Sequence, residues 1–144
     1  MPITQAMPTS FKIEILQGIH NFGPTSPDTF KIALYTSSVT LDASTTVYSS
    51  TNEVASANYT AGGNTLVIST TPTSGGTTAF ISFASPVTWS GVSFTTAGAL
   101  IYNATDGNRA VAVLSFGTPQ VVSGGDFNII FPAATASTAI LRIE

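Results

Sequence analysis

The apolar residues of this chain come in short, mostly alternating runs, bounded by polar or turn-forming residues such as Gly, Asn, Ser and Arg. Residues 29–35 set the pattern. Phe30, Ile32 and Leu34 fall on one face, with Lys31, Ala33 and Tyr35 on the other. Residues 78–84 oppose Phe80 to Ile81 and Phe83. Residues 97–103 place Leu100 and Tyr102 together, and residues 110–116 oppose Val111 and Val113 to Ala112, Leu114 and Phe116. A period of two builds strands, and the chain has no helical patterns between them to make parallel βαβ units.

Punctuation supports the same reading. Residues 104–108 carry an Asp-Gly hairpin signal between two strands. Ser123-Gly124-Gly125-Asp126 reads as a second hairpin, between strands at 121–122 and 127–131, and residues 73–76 as a turn. Further strands are expected over 66–70, 87–94 and 138–143. The count of seven to nine strands predicts a mainly β, single antiparallel β-sandwich or jelly-roll-like domain. Residues 36–63 form one long polar stretch, of a length that is often functional, with a helical turn expected over 51–57.

The N-terminus differs. Residues 1–10 are proline-interrupted and aperiodic, which predicts an extended arm ahead of a β-sandwich domain spanning 11–144. Ser10 is a candidate cap for one short helix over 10–19, with Phe11, Ile15, Leu16 and Ile19 on its apolar side. Phe11, Ile13 and Ile15 also alternate as a strand would. Leu16 and Ile19 break that alternation and favour the helix.

Composition narrows function. Of 144 residues only 8% are Asp, Glu, Lys or Arg, against about 25% in an ordinary domain. Four basic residues and a net charge of −3 do not suit a nucleic-acid partner. The apolar runs fall short of the roughly 20 residues of a spanning helix, so no membrane partner is expected, and residues 1–8 lack the features of a signal peptide. There is no cysteine, hence no disulfide and no thiolate chemistry. The remaining surface is neutral and hydroxyl-rich, with little charge repulsion to oppose association.

No residue pattern points to catalysis, a cofactor or a metal. His20 is the only histidine, and residues 18–22 give it no ligand partner, so it reads as a polar residue closing a helix. The seven acids are scattered, with no local carboxylate pair. The Gly-Gly pairs fit neither G-x-G-x-x-G nor a P-loop. Asp106-Gly107-Asn108 lacks the further ligands of a calcium loop. Trp89, the only tryptophan, is a candidate glycan contact, with core packing as the simpler role.

Several segments resemble small structural proteins of tailed bacteriophages. They are residues 1–7 through Ser10-Phe11-Lys12, residues 29–35, Tyr59-Thr60-Ala61-Gly62-Gly63 and residues 98–103. Residues 109–116, Ser123-Gly124-Gly125-Asp126-Phe127 and residues 139–143 continue the likeness, which covers nearly the whole chain. The resemblance implies a virion protein assembled in the host cytoplasm. Decoration (cement) of the outer capsid is the first expectation, and a tail, neck or fibre component, receptor- or carbohydrate-binding, is the alternative. Its partners would be the major capsid protein and sister copies, in a homo-oligomer. Met1, Pro2, Ile3, Thr4, Gln5, Ala6, Met7 and Pro8 are the candidate partner-binding arm, through strand addition.

Overall fold

The structure, a computed structural model, describes residues 3–144. One helix, α1 (Thr9–Leu16), precedes seven strands: β1 (Phe30–Tyr35), β2 (Asn64–Thr65), β3 (Ile68–Gly75), β4 (Thr78–Phe83), β5 (Val87–Asn103), β6 (Arg109–Ile129) and β7 (Leu141–Ile143). They form two antiparallel sheets, of order β2-β1-β5-β6 and β3-β4-β7. The mainly β sandwich expected from the alternation is the observed fold.

Alternation explains which face goes where. Ile32, Leu34, Ala99 and Ile101 of the four-stranded sheet pack on Ile81, Phe83 and Leu141 of the three-stranded sheet. Ala33, Tyr35, Leu100 and Tyr102 point the other way, yet they are buried too. A second core covers them, with Ile3, Val39 and Leu41 as its lid. The four-stranded sheet is therefore a middle layer. Its outer cover is the N-terminal segment and the first part of the long polar stretch.

Several boundaries differ from the sequence reading. The segments 87–94 and 97–103 are one continuous strand, β5, and the three segments between 109 and 131 form β6. Ser123-Gly124-Gly125-Asp126 makes no hairpin. Val92 pairs with Gly125 and Ser93 with Ser123, so Gly124 is the extra residue of a bulge, at φ 66°. Glycine signals a turn and a bulge equally well in sequence, and the long β5 partner decides for the bulge. The 66–70 strand starts late, at Ile68 of β3, and an unexpected short strand, β2, precedes it in the other sheet; the chain crosses between them at Leu66 and Val67. The final strand shortens to Leu141–Ile143 and the 73–76 turn moves to Gly76 and Thr77. No helical turn forms over 51–57; Glu53 instead bridges to Tyr35.

Helix α1 begins at Thr9 after Pro8, so Ser10 lies inside its first turn and is not its cap. It ends in a Schellman motif. Gly18 at φ 73° lets its N–H bond to the Ile15 carbonyl and the Ile19 N–H to the Glu14 carbonyl. That reversal returns the next residue, His20, over Glu14.

Candidate functional site

Where the chain concentrates charge is the natural place to look for chemistry. Four of the eleven charged residues, Glu14, Asp28, Asp106 and Arg109, gather around His20 and Asn103. Glu14 comes from α1, Asp28 from the loop before β1, Asn103 from the end of β5 and Arg109 from the start of β6. Folding assembles a group that residues 18–22 alone did not offer.

Its geometry is tight. His20 Nε2 lies 2.8 Å from Glu14 Oε1, and Arg109 donates to Glu14 Oε2 at 2.9 Å. The Asn103 amide nitrogen is 3.0 Å from His20 Nδ1, 2.8 Å from Asp28 Oδ2 and 3.4 Å from Asp106 Oδ2. The Asn103 carbonyl accepts from the Thr105 and Asp106 N–H groups. The Phe11 ring packs tilted against the imidazole, 4.8 Å between centroids.

The two aspartates at the rim titrate as a pair. Burial acts to raise the Asp28 carboxyl. Hydrogen bonds from the Asn21 N–H, the Asn103 amide and the Asp106 carboxyl outweigh it, so Asp28 is held below the usual carboxylate range. Asp106 is pushed up, first by its hydrogen bond to Asp28, then by desolvation and repulsion from the Asp28 charge. A glutamate beside a histidine is the start of an acid–base site, but here both imidazole nitrogens are engaged and the side chain is fully buried. What this arrangement does is fasten α1 and the 21–28 loop to the β5–β6 turn.

A second network orders residues 36–63. Glu53 accepts from Tyr48 Oη at 2.7 Å, Tyr59 Oη at 2.5 Å and the Gly62 N–H at 2.8 Å. Tyr102 Oη donates to the Gly62 carbonyl, and Tyr35 Oη to the Ser49 carbonyl. Desolvation raises all four tyrosines above the ordinary phenol range, and the nearby Glu53 carboxylate adds to it; Tyr102 is pushed up to about 12.

The residues singled out from sequence fall as follows. Met1 and Pro2 lie outside the described residues. Residues 3–8 are laid on the body of the domain. Ile3 is buried and bridges to Leu41, Thr4 donates to the Leu41 carbonyl, and Ala6 exchanges both backbone bonds with Val113. Gln5 Oε1 accepts from Ser115 N–H, Met7 packs against the main core, and Pro8 is buried ahead of α1. The strand addition expected toward a partner is made within the chain. Trp89 is 3% exposed, between Tyr59 and Phe127, so it offers no ring face to a glycan.

Sequence reasoning missed one apolar feature. A groove of about 200 Å³ opens beside α1, lined by Phe11, Ile15, Ala79, Ile81, Leu141 and Ile143 among others. Nearby in the chain, Leu16 is 89% exposed and Ile143 52%. Leu16 counted as apolar helix face in the sequence; only the three-dimensional position of α1 shows that this face is partly bare. Among the described residues no helix is long and apolar enough to cross a membrane.

The fold and these networks define a two-sheet β-sandwich with an internally braced helix. No protein-family model matches the sequence, no curated protein matches it, and no solved structure matches the chain.

Proposed function

We propose that this chain is a structural subunit of a tailed-phage particle, without catalysis of its own, that decorates the outer capsid surface in contact with the major capsid protein and with sister copies. Its setting would be the virion, after assembly in the host cytoplasm. The observation that carries this reading is the surface. Four of its few charges are tied into one cluster around His20, while large apolar side chains stay bare: Leu16 at 89%, Val121 and Ile130 at 76% each. Such a surface favours permanent contact through apolar area and backbone hydrogen bonds. The phage-like segments supply the setting. With residues 3–8 committed to the chain's own sheet, docking falls to these apolar positions and not to the arm. Cryo-electron microscopy of the purified particle is the test. A copy on every capsomer supports decoration; a few copies at one vertex assign the chain to the tail or neck and overturn it.

A further inference from the structure

We propose that two copies of this chain pair through the outer edge of β7, antiparallel, with Ile143 opposite Ile143 of the second copy. This deepens the structural-subunit reading by naming its copy-to-copy contact, and rests on that reading only for its setting.

The four sheet edges are not alike. Unpaired edges invite another strand, and proteins normally blunt them. β2 is only two residues long. β3 contains Pro72 and breaks register twice. On β6, Ala6 takes both outward backbone groups of Val113 and Gln5 takes the Ser115 N–H, while the second half is broken by Pro119 and the bulge at Gly124. β7 is also short, at three residues, and carries Arg142, but it has no proline, no bulge and no covering segment. Its register with β4 is regular, from Ile81↔Leu141 to Ala79↔Ile143, and among the described residues it makes no backbone bond on its other side. It also carries a half-exposed Ile143.

Charge selects the occupant and the register. Arg142 and Glu144 are both exposed and lie two residues apart, on one face of the strand. In an antiparallel self-pairing centred on Ile143, Arg142 stands opposite Glu144 of the second copy, and the two-fold axis repeats the pair. Centring on Arg142 would instead set arginine against arginine. Leu141 and Ile143 share the opposite face, toward Phe11 and Ile15, so pairing brings the two apolar grooves end to end. The product is a continuous six-stranded sheet, β3-β4-β7-β7-β4-β3.

Sedimentation of the full chain over a concentration series tests this. The unaltered chain is expected to dimerise. Arg142→Glu or Glu144→Arg alone sets like charges opposite each other twice and weakens the dimer by about tenfold or more. The double swap, Arg142→Glu with Glu144→Arg, restores it. Unchanged circular dichroism and melting show that these surface variants fold. A chain that stays monomeric throughout, or single variants that dimerise like the original, overturns the proposal. Copy number on the particle is measured separately, so failure here and failure of the decoration reading are distinguishable.

Discussion

The Asn103 amide nitrogen lies 3.0 Å from His20 Nδ1, and this contact decides which imidazole nitrogen carries the proton. The Asn103 carbonyl is committed to the Thr105 and Asp106 N–H groups, so the amide cannot be reversed without losing both. Its nitrogen must therefore donate. His20 Nδ1 is then an acceptor, and the proton sits on Nε2, pointing at Glu14 Oε1 2.8 Å away. Nitrogen-detected NMR of the imidazole should show the Nε2–H tautomer.

Asn103 is the keystone of that cluster, and it is fully buried. Asn103→Asp removes both amide donors and sets a third carboxylate beside Asp28 and Asp106. Each buried partner left unsatisfied costs about 1–3 kcal/mol. The expected loss is roughly 3 kcal/mol or more, read from the urea midpoint at neutral pH. A loss under about 1 kcal/mol would mean that the cluster does not brace the fold.

Acid titration should separate Asp28 from Asp106. Asp28 is depressed in the fold, so its stabilisation is present above the ordinary carboxylate range and is lost as pH falls through its lowered value. Asp106 is raised, so its contribution runs the other way. It is present at low pH and lost as pH rises through the raised value. Asp106→Asn mimics the protonated state and keeps a donor toward Asp28. It should be more stable than the original chain at neutral pH, with the difference vanishing once acid protonates Asp106. Paired urea titrations across the acid range check this; an Asp106→Asn chain less stable at pH 7 contradicts it.

Sequence reached the sandwich because alternation is a local signal, carried within residues 29–35 or 97–103. It did not reach the middle-layer character of the four-stranded sheet. Lys31, Ala33 and Tyr35 look like a solvent face, and only the return of the polar stretch through Val39 and Leu41, with Ile3 from the distant N-terminal segment, shows that Ala33 and Tyr35 are covered. The His20 cluster was hidden for the same reason. Arg109 meets Glu14 across 95 positions, and Asn103 meets His20 across 83. Trp89 was legible as core, and its burial removes the glycan alternative at that position. The bulge at Gly124 was illegible, since a glycine at positive φ serves a hairpin equally well.

Glu53 holds the long 36–63 stretch closed, and the four tyrosines report on it. Glu53→Gln replaces one acceptor oxygen by a donor, facing groups that themselves donate. About 2–3 kcal/mol should be lost, with faster amide exchange over 36–63 than elsewhere. In the original chain the raised phenols favour the neutral form. Their stabilisation is intact below about pH 10 and is lost as pH climbs through the raised values. Absorbance of tyrosinate should thus stay flat past the ordinary phenol range and then rise together with unfolding. Phenols that ionise near pH 10 in a folded chain would refute this.

The N-terminal segment gives the sharpest contrast between an arm that waits for a partner and one already used. Ile3 is 3% exposed over the second core, and its Cδ1 and Cγ2 would stand 2.9 Å from a Cβ added at Gly98. That Cβ would also clash with the Leu114 carbonyl oxygen. Ile3→Ala should therefore cost about 2–5 kcal/mol, as for a buried aliphatic side chain. Gly98→Ala should cost at least as much, because it strains the β5–β6 pairing as well as the seat of Ile3. Deleting residues 1–10 also leaves both outward backbone groups of Val113 unpaired, and its amide should exchange faster. A segment held for a partner would leave the melting temperature of the isolated chain unchanged in Ile3→Ala and in the deletion. Capsid occupancy should be compared only among variants that still fold, because loss of binding by an unfolded deletion says nothing about where the protein docks.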